Sequence, residues 1–545
     1  MIRLKAGRND FRLFGSNSMS LIGSLIIPCL VLAADGQPAP KLPLGKDTTY
    51  VTGPLDKEGY IDYEAALNDR LGKGVLPEKN ANVLLWKALG PTPEGGKRMP
   101  ADFFKRMGMD EPPKDGAYFI ALRQFMKDQL KLGPDKFDAI YDQQSRAAQR
   151  PWAAKDYPNI AAWLEANEKP LVVVAEATRR PDYFNPLVTH WIDEKPGGLT
   201  GILLPGIQTC RECAVALAAR AMLRVGEGKF DEAWQDLLAC HRLGLLVGRG
   251  GSTIEGLVGV AIDAIASRAD LAYIERADLT VKQTQDRQND LLGLPATPPM
   301  ADKIDLAERL THLELVQMIR QRGFGRLEAL SHDGPDHDRP YTPKPGPDGE
   351  KALTAMDWAP ALRDCNHLYD RLVAAMRVKD RADRDKQLKR VQQDIFALRD
   401  GPSESAKIAE ILLGPPDKSV SKAVSRAING VGFRMLGPYG KVLNAHDRDV
   451  QVQRNLQVAF ALAAYHRDHG DYPAKLDNIA PKYLATIPDD LFSGKALIYH
   501  PTDKGYLFYS VGPNGKDDGG RSLTNDLNDD DLPVTMPLPE LKKKL

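Results

Sequence analysis

The sequence predicts a mainly α protein: an irregular helical domain built around a helix hairpin, followed by a small C-terminal α+β domain. Three observations carry this. Apolar residues recur at helical spacing across residues 60–413, with little strand-like alternation. Residues 209–246 hold two amphipathic stretches separated by Gly226-Glu227-Gly228, as a hairpin requires. Beyond residue 447, an amphipathic helix gives way to short alternating segments and an acidic, glycine-rich loop. Composition agrees with a globular chain, at 43% hydrophobic and 27% charged residues over 545 positions. Lys+Arg and Asp+Glu both number 73, so the formal net charge is zero. Nucleic-acid affinity rests on excess basic charge, so no nucleic-acid partner is expected.

The N-terminus reads as an address. Arg3, Lys5, Arg8 and Arg12 form a basic region, and an apolar stretch runs from Leu21 to Ala34. Gly23, Ser24 and Pro28 interrupt it, and it falls short of the roughly 20 apolar residues that span a bilayer. With Ala33 and Ala34 as small residues for cleavage, residues 1–34 fit a secretory signal peptide. Pro28 before Cys29 argues against a lipoprotein. The chain is therefore expected to be exported, to a periplasm or cell envelope, touching a membrane only through this segment if it stays uncleaved. Residues 35–58 form a flexible exit segment.

Within the helical domain, 59–413, helices are expected at 60–71, 117–132, 160–178, 302–322 and 359–398. Thr209 is the expected N-cap of the hairpin's first helix, with Ala214, Leu217, Ala218 and Ala221 as its apolar stripe. The second helix spans 230–246. Ser252 and Glu255 form a capping box for a third, so the glycines at 248–251 read as helix punctuation and not as a phosphate loop. The run ALAARAMLRVGEGKFDEAWQDLLACHRLG resembles a tetratricopeptide-like helix pair. It covers about 35 residues with no second copy, so no solenoid is implied. Residues 331–350, carrying His332, Asp333, Asp336, His337 and Asp338 among prolines, read as a solvated linker. Alternating charges at 379–389 read as an exposed helix face, and 414–446 as a connecting helical segment.

Four cysteines remain after cleavage: Cys210, Cys213, Cys240 and Cys365. In an oxidising compartment the first expectation is a disulfide. Antiparallel hairpin geometry sets Cys240 near Val215, so Cys213 and Cys240 are the candidates. Their bridge would close a loop of about 28 residues and contribute roughly 3 kcal/mol. Cys210 and Cys213 as a redox pair at a helix N-terminus, and a zinc site from Cys210, Cys213, Cys240 and His241, are the alternatives. No nucleophile elbow, zinc-protease helix, Walker loop or dinucleotide fingerprint is present, so no catalytic residue and no organic cofactor is assigned.

The final region, 447–545, starts with a helix predicted over 447–467. Strands follow at 496–500 and 506–511, and the turn Gly512-Pro513-Asn514-Gly515 leads into the acidic loop. The strings NLQVAFALAAYHRDHGDYPAKLDNIAP, IPDDLFSGKALIYHP and YLFYSVGPNGKDDGG, in that order, resemble the C-terminal half of the type II secretion major pseudopilin. The resemblance implies a pilin-like α+β fold and a calcium ion held by the acidic loop. By position it implies Asp526, Asn528 and Asp529 as ligands, with Asp517 and Asp518 as further ones. The prepilin cleavage motif and long apolar N-terminal helix of that family are missing here. The rest of the chain resembles exported bacterial proteins without an assigned activity. Read without the resemblance, a loop rich in carboxylate and amide oxygens suits a hard cation, although its spacing is not that of an EF-hand. The expected role is a non-catalytic interaction or scaffold protein with an unidentified protein partner. The alternatives are an exported hydrolase using acids of the helical domain, and an accessory component of a type II-like secretion system.

Overall fold

The computed structural model describes residues 38–94, 98–189, 191–192, 195–196, 198–322, 356–399, 425–426, 429–430, 432, 439–523 and 528–541. The expected signal segment 1–34, the expected linker 331–350 with its His/Asp group, most of 414–446, and Asp526 lie outside the described residues.

The structure is mainly helical, with small antiparallel sheets. Side chains start the first helices: Asp62 caps α1 (Tyr63–Leu71) and Asn80 caps α2 (Ala81–Leu89). Short helices follow: α3 (Ala101–Arg106), α4 (Leu122–Asp128), α5 (Phe137–Ala147), α6 (Pro158–Ala166) and α7 (Glu168–Ala177). The helix expected over 160–178 is thus divided at Asn167. Its side chain leaves the helical pattern to accept from the Ile120 amide at 2.7 Å and donate to the Ile120 carbonyl at 3.1 Å. Two-residue ribbons pair β1 (Val188–Thr189) with β4 (Ile202–Leu203), and β2 (Trp191–Ile192) with β3 (Lys195–Pro196). They are too short to leave an alternating pattern in the sequence.

Three helices form the centre: α8 (Ile207–Gly226), α9 (Phe230–Gly248) and α10 (Thr253–Arg276). Helix α8 begins before the expected cap. Gly206, at φ +82°, turns the chain in without a side-chain cap, and Thr209 sits buried inside the first turn. The Ser252–Glu255 capping box forms as expected. The α9–α10 contact is unusually close. A Cβ on Gly259 would lie 2.6 Å from the Gly244 carbonyl oxygen and 2.7 Å from the Gly248 Cα. Glycine occupies these helical positions because the two backbones meet there, although glycine inside a helix costs about 0.5–1 kcal/mol relative to alanine.

Helix α11 (Val281–Leu292) is started by a second capping box, Thr280 with Gln283. The expected 302–322 helix is a composite of α12 (Met300–Lys303), a π turn (Ile304–Glu308) and α13 (Arg309–Arg322). The expected 359–398 helix breaks into α14 (Ala359–Met376) and α15 (Arg381–Arg399). Helix α16 (Tyr439–His469) starts eight residues before the predicted 447. It leads to β5 (Ile498–Thr502), β6 (Gly505–Ser510) and β7 (Leu532–Met536), an antiparallel sheet in that order. Strand β7 escaped sequence reading because Pro533 interrupts its pattern; an edge strand tolerates proline.

One apolar cluster runs without a break from Ala81 to Met536, joining Trp152, Trp234, Tyr273, Phe460 and Phe508. A second joins Tyr63, α13, α14 and Leu443. Helix α16 enters both, so the C-terminal region shares its core with the central helices. No described helix is long and apolar enough to cross a membrane.

Two glycine substitutions test the close crossing. Gly259→Ala should destabilise the protein by about 1–3 kcal/mol, because a methyl group must separate two backbones. Gly440→Ala, whose Cβ would meet nothing within 4 Å, should leave stability unchanged or raise it by up to about 1 kcal/mol. Urea titration followed by circular dichroism reads both; equal midpoints for the two variants would show that the helices separate freely.

Candidate functional site

The acidic loop is folded mainly by its own hydrogen bonds. Asp517 accepts from the Tyr509 hydroxyl at 3.0 Å and the Gly519 amide at 2.9 Å. Asp518 accepts from the Asn514 side chain at 3.0 Å and the Asp530 amide at 3.1 Å. Asp529 pairs with Arg521 at 2.8 Å, which commits its carboxylate to a cation already present. Asn528 contributes its backbone carbonyl to the Asn514 side chain at 3.4 Å. Of the predicted ligands, then, Asp517 and Asp518 lie together, Asp529 faces its arginine, and Asp526 is outside the described residues.

Sequence reading counted Asp531 among the oxygen-bearing residues of the loop but not among the ligands implied by the resemblance. This residue is fully buried, and its Oδ2 accepts from the Gly520 amide at 2.8 Å and the Asp518 amide at 3.1 Å. Its Oδ1 is buried and has no donor among the described residues. Burial, and then the charges of Asp518 and Asp517, push its carboxyl up to about 6. An orphaned carboxylate oxygen among other carboxylates suits a hard cation in donor chemistry. Among the described residues, no three His, Cys, Asp or Glu side chains form a ready-made cage.

The cysteines are free and buried. The predicted offset is close: Cys240 Sγ lies 3.7 Å from the Ala214 carbonyl oxygen, one residue from Cys213. The sulfur also faces the Ile262 carbonyl at 3.8 Å, so it sits at the junction of three helices, and the expected Cys213–Cys240 cross-link is not formed in the structure. The redox alternative meets a physical obstacle. Burial pushes the Cys210 thiol up to about 12 and raises Cys213 well above its ordinary value, opposite to the depressed values of reactive cysteines.

The zinc alternative fails on His241. Its Nδ1 lies 2.7 Å from Asp263 Oδ1 and its Nε2 lies 2.7 Å from Asp270 Oδ2, so both ring nitrogens are taken. The histidine belongs instead to a buried charge cluster. His241 and Asp270 are wholly enclosed. Gln453 of α16 donates to Asp263 and, at 3.0 Å, to Ser267. Thr297 donates to Asp449 at 2.9 Å. Burial would push the imidazole down, but the charges of Asp270 and Asp263 outweigh it and bring His241 up to about 10. It is therefore an imidazolium donating to both carboxylates. Burial, and then the Asp263 charge, push Asp449 up to about 9, so at neutral pH it holds a proton that it shares with Asp263. The result is a chain, Asp270–His241–Asp263–Asp449, linking α9, α10 and α16. Asp263 and Asp270, seven residues apart, fall on one face of α10 among small and apolar residues, and that spacing was the sequence signal.

No protein-family model, curated protein or solved structure matches this chain.

The cluster makes stability fall on the alkaline side. The folded value of about 10 for His241 exceeds the ordinary 6.5, so its ion pairs contribute fully below about pH 6.5 and are lost as pH rises through 10. The folded value of about 9 for Asp449 exceeds the ordinary 3.8, so the folded state retains a proton that the unfolded state releases, and stability drops progressively between those values. Asp449→Asn keeps a donor toward Asp263 and removes the second effect. Its melting temperature should decline less than that of the wild type between pH 6 and 9, in scanning fluorimetry across that range. His241→Leu should cost about 3–5 kcal/mol at pH 7, because it strands two buried carboxylates. Parallel curves for wild type and Asp449→Asn would sink the shared-proton assignment.

Proposed function

We propose that this chain is an exported, non-catalytic interaction or scaffold protein of the periplasm or envelope, whose C-terminal region takes one structural calcium ion and docks a protein partner. The observation that carries the calcium reading is Asp531: a buried carboxylate with one oxygen bonded to no donor, beside Asp517 and Asp518. Asp531, Asp517 and Asp518 would hold the ion, which supplies positive charge to a loop that otherwise places like charges together. This would tie the turn after β6 to the start of β7.

The pseudopilin-like reading is supported by order and packing. Helix α16 precedes the β5–β6 hairpin, and Asn455 on that helix donates to the Leu532 carbonyl of β7 at 2.9 Å. The non-catalytic reading is supported by the enclosure of His241 and Asp270, since groups with 0% side-chain exposure cannot meet a substrate without local opening.

Melting of the full chain in chelator, calcium and magnesium tests the reading. Calcium at 100 times its dissociation constant should add about 2.7 kcal/mol. Magnesium should give less, since it accepts crowded protein ligands poorly. Asp531→Asn should abolish the calcium response while melting no lower than wild type in chelator. Identical melts in chelator and millimolar calcium overturn the site.

A further inference from the structure

A second charged feature lies on the opposite chemical side, in a region where the sequence suggested no site. Between the end of α7, the outer face of α9 and the end of α11 is an open cleft of about 640 Å³. Arg179, Arg180, Arg242 and Arg249 all line it, with Asp290 as the acidic residue among the lining groups. That volume falls in the range of small-molecule sites, roughly 300–1,000 Å³.

Two of the arginines have structural work. Arg180 donates to the Pro77 carbonyl at 3.0 Å and the Asn80 carbonyl at 2.9 Å, and Arg249 donates to the Pro181 carbonyl at 2.5 Å. Asp290 accepts from the Trp234 indole at 2.8 Å. Arg179 and Arg242 differ. Among the described residues, neither makes an ion pair or a side-chain hydrogen bond, although they are close enough to repel. Arg242 is half-buried, and burial and then the charge of Arg179 lower its pKa, more than the charge of Asp290 restores. The exposed Arg179 and the partly desolvated Arg242 line one cleft and repel each other, and a bound anion removes that repulsion. The guanidinium fork matches the paired oxygens of a phosphate. Gln235 and Asn289 add neutral polar groups to the wall, and Leu245 an apolar one.

We propose that this cleft binds the phosphate group of a small phosphate ester through Arg179 and Arg242. The site is independent of the calcium loop, involving α7, α9 and α11 rather than β6 and β7. A soluble ester and a phospholipid headgroup present the same chemistry.

The test uses the full chain in chelator, so that calcium plays no part. Calorimetric titration at low ionic strength with inorganic phosphate and glycerol 3-phosphate is compared with citrate and with sodium chloride at matched ionic strength. Saturable binding of the phosphates is expected, weakened roughly tenfold or more in Arg242→Gln and in Arg179→Gln. Arg363→Gln, far from the cleft lining, should bind as wild type. Both cleft variants should melt no lower than wild type without ligand, since each relieves repulsion, and this separates lost binding from lost folding. Sedimentation with phosphatidylglycerol vesicles adds the lipid arm: Arg242-dependent sedimentation with no response to glycerol 3-phosphate places the phosphate on a lipid, and the reverse places it on a soluble ester. Citrate binding equal to phosphate, or phosphate binding unchanged in both cleft variants, overturns the proposal.

Discussion

A full charge in a dry core must be neutralised where it stands, and that requirement organises the centre of this molecule. His241 is wholly enclosed, with its side chain shut off from water. An isolated imidazolium there would lose its proton; instead, Asp263 and Asp270 hold it protonated from both sides. Two carboxylates and one cation leave an excess negative charge, which Asp449 and Gln453 of α16 moderate through a shared proton and an amide donor. The cluster therefore forms only when α9, α10 and α16 are all in place. Well-packed apolar residues in its place are often as stable or more so, since buried ion pairs seldom exceed their desolvation penalty. Its consequence is positional: hydrophobic burial is non-directional, whereas these bonds fix which turn of α16 faces which turn of α10.

The same logic recurs along α16. Near its start, Asp447 accepts from Arg381 and Arg384 of α15. Burial would raise this carboxyl, but hydrogen bonds from His446 and Arg384 and the charges of both arginines bring it below the ordinary range. One residue later, Arg448 donates to Asp530 at 3.1 Å, reaching the acidic loop. At the other end, Arg467 caps backbone carbonyls of Ile274, Ala277 and Leu279. A single helix thus bonds to the second core, the loop, the central bundle and the end of α10. This explains why the apolar cluster does not divide at residue 447, where composition changes most sharply.

Local signals were legible and long-range ones were not. The helices of the hairpin, the Ser252–Glu255 box and the alternation of β5 and β6 rest on residues within four positions of each other, so sequence spacing alone specifies them. The break at Asn167 depends on Ile120, 47 residues away, and the first turn of α8 depends on Gly206 rather than the better-looking cap Thr209. In the loop, the search for ligands by likeness led to Asp526, Asn528 and Asp529. The buried carboxylate is Asp531, whose neighbours Asp518 and Gly520 are brought to it by strand pairing. The reading of Cys240 and His241 as metal ligands overlooked the partners of His241, which come from Asp263 and Asp270 of α10, more than 20 residues away in sequence.

A net charge of zero also concealed how the charges are distributed. Summed over the chain, acids and bases cancel, and that sum argues against a partner as long as a nucleic acid. It says nothing about fields on the scale of one ligand, because screening at physiological salt confines exposed charges to about 8 Å. On that scale the surface is segregated. A cavity of about 390 Å³ is lined by Asp56, Glu58, Asp62, Glu64, Asp102 and Glu314, while the cleft beside α9 gathers four arginines. Within the acidic cavity, Asp62 already caps α1 and Asp102 already pairs with Arg106, so much of its charge is committed to holding the fold. Arg179 and Arg242 have no such commitment. Segregated charge therefore has to be judged group by group, and uncommitted charge, rather than the number of like residues in one place, distinguishes a surface arranged for a ligand from one arranged for the fold itself.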